Sequence, residues 1–221
     1  MAVSEDPPGH ARSGASDSAA DGLSPGHELR EARRLLAAGE AGAAEQRLRG
    51  LVARGPLPPA LEADARYLLG GALGASGDRD GMSAEWAAVL RLDAVAASPG
   101  PLLALEEFES VAEAALAELP REHLDRLGNV AILVADRPSL EMVAGGIDPR
   151  VLGLYHGVPL ARRSVAFGAP YADTIHLFRA NLERVSATRA ALVRRIRVVV
   201  LHETAHFFGY TEAQLRRMGL A

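Results

Sequence analysis

With 221 residues, 48% of them apolar and 24% charged, the chain has the size of one large domain or two small ones and a globular composition. A net charge of −4 gives no general attraction to nucleic acid. The absence of cysteine excludes disulfides and thiolate metal sites, and because all 24 basic residues are arginine, lysine-dependent covalent catalysis is excluded too.

The first 26 residues, rich in Ser, Gly, Pro, Ala and Asp, read as a disordered leader. They lack a basic start followed by an apolar core, so no secretory signal is expected. The longest aliphatic runs, such as Val198–Leu201, are too short to cross a bilayer. The expected location is the cytoplasm, with neither membrane nor nucleic acid as a partner.

Residues 27–99 read as two copies of one helical hairpin. In each copy an apolar-periodic helix ends at a glycine followed by an acid, Gly39–Glu40 and Gly77–Asp78. A second helix then carries a small or slender residue and a larger apolar one four positions on: Ala44 with Leu48, Met82 with Trp86. The spacing of the glycines fits a helical repeat. The stretch "LLGGALGASGD" and the position of Pro56 resemble tetratricopeptide repeats. That resemblance implies a surface for a protein partner.

"SPGP" at Ser98–Pro101 marks a boundary, and residues 100–221 read as mixed α/β. Leu103–Leu119 is an expected amphipathic helix, with Leu105, Phe108, Val111, Ala112, Ala115 and Leu119 on its apolar face. "NVAILVAD" has strand composition, "VLGLYHGVPL" reads as a strand or hairpin turning near His156–Gly157, and "TIHLFRANL" as a further strand. A long helix is expected from about Ala187 to Phe208, stopped by Gly209. The fold class is therefore α+β: helical hairpins followed by a small domain with a short mixed sheet.

The last of these helices carries the chemistry. His202 and His206 lie one turn apart on one face, so both imidazoles can reach a single ion. Glu203 lies beside the first histidine and can face a water rather than the metal. This is the His-Glu-x-x-His arrangement of zinc peptidases. Downstream of His206, Glu212 is the one remaining carboxylate or histidine side chain in the sequence, ten residues after His202, with Gly209 between as a turning point. That spacing matches His-Glu-x-x-His-x-x-Gly-x-x-His with glutamate in the last place. Upstream alternatives for a third ligand are Asp173, His176 and His156. Glu212 also fits a plainer role at the start of a final helix capped by Thr211.

From about residue 103 onward the chain resembles the minimal zincin-like metallopeptidase family, a mostly bacterial group. The resemblance rests on "FESVAEAALAELP", "NVAILVADRP", "GLYHGVPL", "TIHLFRANL" and "VVVLHETAHFFGYTEAQLRRMG", in that order. It implies a zinc-dependent hydrolase acting on a peptide or protein, with His202, His206 and Glu212 holding Zn2+ and Glu203 as general base. In the family the position of Glu212 is more often aspartate, so the longer side chain is a departure. The resemblance also implies an edge strand bordering the cleft. Tyr155, His156 and Tyr210 are further candidates near the substrate, and Met218 is reminiscent of the methionine beneath related sites.

Overall fold

The structure is a computed structural model that describes residues 24–96, 100–128, 130–160 and 173–218. Most of the leader, the "SP" part of the expected boundary and residues 161–172 lie outside the described residues.

Among the described residues four helices come first: α1 (Pro25–Ala37), α2 (Ala41–Ala53), α3 (Pro59–Ala75) and α4 (Arg79–Val95). The first begins inside the stretch read as leader, because the Ser24 hydroxyl accepts from the N–H of His27 and caps it. The turns α1–α2 and α3–α4 are built alike. Glu40 N–H reaches back to the carbonyl of Leu35, and Asp78 N–H to that of Leu73, both at 2.9 Å. The glycine before each acid has positive φ, 79° at Gly39 and 88° at Gly77, which closes the helix with a residue that bears no Cβ penalty. This recurrence is consistent with helical repeats. Leu29, Ala32, Leu48, Leu51, Ala65, Leu69 and Leu73 form the core between the helices.

The remainder is α5 (Leu105–Ala117), α6 (Arg121–Leu127), β1 (Ala131–Ala135), α7 (Leu140–Ala144), β2 (Gly153–His156), β3 (Thr174–Phe178), α8 (Arg179–Arg184), α9 (Arg189–Phe207) and α10 (Glu212–Arg217). The molecule is thus mixed α and β, with a largely helical N-terminal part and a three-stranded sheet of order β1-β3-β2. The central β3 runs parallel to β1 and antiparallel to β2. Ile175 and Leu177 point from β3 into a core shared with Phe108, Ala112 and Ala115 of α5 and Leu192, Ile196 and Val200 of α9.

Several expectations change. "TIHLFRANL" is a strand only to Phe178; Arg179 opens α8, where Asn181 turns inward to donate to the carbonyls of Pro149 and Val151. Buried carbonyls outside the ladder need partners, and the Asn181 amide supplies them. Of the strand or hairpin expected at "VLGLYHGVPL", the strand is what forms: β2 covers Gly153–His156 and pairs with β3. Leu105, expected on the apolar face of α5, is 44% exposed, and the preceding Leu103 fills that place in the core. Two short helices, α6 and α7, had no expectation.

Candidate metal centre

The helix α9 starts at Thr188, whose hydroxyl accepts from the N–H of Ala191, and its core face is Leu192, Ile196, Val199 and Val200. That face anchors the helix under the sheet and leaves the next turn, His202–His206, at the edge of the fold. Termination follows a Schellman pattern: Tyr210 N–H donates to the Ala205 carbonyl (3.1 Å) and Gly209 N–H to that of His206 (3.0 Å). Gly209 takes φ 90°, which turns the chain back over the helix end. The helix α10 then opens at Thr211, whose N–H donates to Gln214 Oε1 at 2.7 Å.

This turn brings Glu212 over the two histidines. His202 Nε2 and His206 Nε2 are 3.1 Å apart, and Glu212 Oε1 lies 3.3 Å from the first and 3.1 Å from the second. The plain role foreseen for Glu212, at the first turn of a Thr211-capped helix, coexists with this placement.

A tetrahedral zinc with ligands at about 2.0–2.1 Å keeps its donors about 3.3–3.4 Å apart, so the observed triangle has the right size. Its chemistry also fits. The Tyr210 carbonyl lies 3.1 Å from His206 Nδ1 and can only accept, so that nitrogen donates, and in the neutral ring Nε2 presents a lone pair. An imidazole nitrogen and a carboxylate oxygen facing each other at 3.1 Å need a shared proton or a metal cation between them. Among the described residues, His202, His206 and Glu212 are the one cluster of this kind.

Glu203 faces elsewhere. It is 8% exposed, and its Oε2 accepts the backbone N–H of Tyr155 at 2.8 Å. Burial pushes its carboxyl above the usual range, against the pull of that N–H and of the two imidazoles toward the charged form; Glu212 adds to the upward push. The strand register explains the contact. Phe178 N–H donates to the Leu152 carbonyl, and antiparallel alternation then aims the main-chain groups of Gly153 and Tyr155 away from β3, toward α9. Space for the carboxylate comes from Gly153, where a Cβ would sit 2.5 Å from Val199 Cγ1 and 3.2 Å from Glu203 Oε1.

Two of the upstream ligand candidates, Asp173 and His176, have partners apart from this cluster. Asp173 Oδ1 accepts the Tyr155 hydroxyl at 2.6 Å, and His176 Nε2 meets the Thr174 hydroxyl at 3.2 Å on the opposite face of the sheet from Ile175. His176 stacks on Phe178, and burial lowers its tendency to protonate, with the nearby His156 acting the same way. Tyr155 also packs edge-on against the fully buried Phe207. Met218 is exposed.

A cleft of 530 Å³ opens over the three donors and Glu203, walled by Gly153–Tyr155 on one side and Gly209–Thr211 on the other. The groups that sequence reasoning missed here are the Tyr155 N–H, the Tyr210 carbonyl and the bare Gly153.

Residues 127–220 match the family model described as zincin-like metallopeptidase. The match covers the sheet, α9 and α10 and starts at the end of α6, so α5 and the helical hairpins lie outside it. No curated protein matches the chain.

Proposed function

We propose that the chain is a zinc-dependent metallopeptidase, with His202, His206 and Glu212 as the metal ligands and Glu203 as the general base. The observation that carries this reading is the triangle of three lone-pair donors beside a buried carboxylate that is not part of it. The match to the zincin-like metallopeptidase model over the same residues supports it.

Zinc would supply a Lewis acid that acidifies water and polarises the scissile carbonyl. Glu203 takes the proton from the attacking water as the C–O bond forms, and gives it to the leaving nitrogen as the C–N bond breaks. Burial serves this role, because a carboxyl with a raised pKa is a stronger proton acceptor and a ready donor afterwards. The Tyr155 N–H holds the carboxylate against β2, oriented toward the cleft. The Tyr210 carbonyl fixes the His206 ring so that Nε2 faces its neighbours.

The test compares wild type with Glu203→Gln and His206→Ala on a proteome-derived peptide mixture, with metal content measured in parallel. Glu203→Gln is expected to lose at least about a hundredfold in hydrolysis while keeping its zinc; His206→Ala should lose both. Hydrolysis that survives in Glu203→Gln sinks the base assignment. A zinc-free wild type sinks the metal reading.

A second reading gives the helical hairpins the main role: a tetratricopeptide-like binding module joined to a latent metal scaffold. The matching turns at Gly39 and Gly77 favour it. Zinc retention without any hydrolysis by wild type would select it.

A further inference from the structure

A second groove, of 570 Å³, continues from His202 and Glu203 along the exposed side of α9. One helical stripe forms its floor: Ala191, Arg194 and Arg195, Val198 and Val199, then His202 and Glu203, recurring every three or four residues. The start of β2 and the segment before it form the facing wall, with Val151 and Gly153.

The arginines of α9 divide into two kinds. On the α5 side, Arg189 pairs with Glu107 and Arg197 with Glu118. In the groove, Arg194 and Arg195 are exposed and have no carboxylate partner among the described residues. The groove itself offers them no acid other than Glu203, which is committed to Tyr155. Two adjacent cations at the end of an apolar trough, connected to a hydrolytic centre, are complementary to a ligand that is apolar near the reacting bond and anionic further along.

We infer that Arg194 and Arg195 bind a carboxylate of the substrate peptide, two to three residues from the bond that is cut. The inference rests on the metallopeptidase reading above. Seven residues of helix separate Arg195 from His202, about 10 Å along the axis, and an extended peptide covers that in about three residues. Val198 and Val199 then receive the intervening apolar side chain. The carboxylate is either an acidic side chain or the peptide's own C-terminus.

The experiment separates this from the catalytic reading by measuring binding. The 221-residue chain carrying Glu203→Gln is titrated with three fluorescent pentapeptides of one apolar sequence. One has glutamate at the distal position and an amidated end, one a free C-terminal carboxylate, and one neither. The carboxylate peptides are expected to bind about five- to tenfold tighter than the neutral one, a preference that shrinks with added salt.

Adding Arg194→Gln/Arg195→Gln should bring that ratio to about one, while the charge-matched Arg34→Gln/Arg49→Gln on α1 and α2 should leave it intact. Whichever carboxylate peptide carries the preference names the source. Equal binding of all three peptides, binding by none, or a preference that survives the Arg194/Arg195 substitutions overturns the inference. If the preference holds but wild type cleaves nothing, the peptidase reading fails and the carboxylate site stands. If wild type cleaves peptides without a carboxylate preference, the carboxylate site fails and the peptidase reading stands.

Discussion

His206 is held from two directions, its Nδ1 by the Tyr210 carbonyl and its Nε2 facing Glu212 Oε1. With Nδ1 committed to that carbonyl, Nε2 is the nitrogen left to face a metal, and Glu212 reaches it through the turn at Gly209. Glu212→Ala is therefore expected to weaken zinc binding by more than the 10–100-fold typical of losing an outer-sphere partner, read by chelator competition. Asp173→Asn, which alters an upstream candidate bound to the Tyr155 hydroxyl, should leave the affinity within about twofold. The reverse pattern would move the third ligand upstream. The convergence of His202, His206 and Glu212 was legible in the sequence because their side chains sit at helical spacing around a glycine. The Tyr155 N–H and the Tyr210 carbonyl were not, since every non-proline residue has both groups and no residue type announces that they are used.

At the scale of elements, α3 and α4 cross where Gly70 meets Trp86. A Cβ on Gly70 would lie 2.3 Å from Trp86 Cδ1, whereas one on Gly71 would meet nothing within 4 Å. Alanine is favoured over glycine inside a helix by about 0.5–1 kcal/mol, but overpacking costs about 1–3 kcal/mol. Gly71→Ala is thus expected to raise the thermal midpoint and Gly70→Ala to lower it; two shifts of the same sign would refute the crossing. The pair α1–α2 depends on acidity instead. The carboxylate of Glu28 is buried, which alone would raise its pKa, yet hydrogen bonds from Arg47 and Arg54 hold it below 4.5. A depressed folded-state value means the stabilisation is complete above about pH 4.5 and disappears as pH falls through the folded pKa. Wild type should therefore lose its thermal advantage over Glu28→Gln under acid titration. The helices of this part were readable from their apolar period and glycine stops. The division of "TIHLFRANL" into β3 and α8 was not, because it depends on the Asn181 amide serving carbonyls 30 and 32 residues away.

The whole molecule is joined through Arg150, just ahead of β2. It is 8% exposed; its Nε and Nη2 donate to the two oxygens of Asp93 at 2.9 and 3.0 Å, and its Nη1 to Asp64 Oδ1 at 2.7 Å. The guanidinium also lies 4.8 Å over the Tyr67 ring, while the Tyr67 hydroxyl donates to Asp148 at 2.7 Å. Burial and that hydrogen bond push the Tyr67 hydroxyl up to about 12, so it stays a donor throughout the physiological range. Asp93→Asn removes most of the compensation for a buried cation and is expected to cost about 3 kcal/mol, measured by urea denaturation; a loss below about 0.5 kcal/mol would show the cluster to be incidental. Nothing periodic in the sequence links Asp64, Asp93 and Arg150, so this contact was invisible before the fold. Arg150 lies three residues before β2, β2 supplies the N–H that Glu203 accepts, and the acids that hold Arg150 belong to α3 and α4. An exchange of the helical half for another by recombination would therefore succeed only if the newcomer brought two acids to the same spot. The family match begins near residue 127, whereas the contacts that position the Glu203 carboxylate reach back across that point to Asp64 and Asp93.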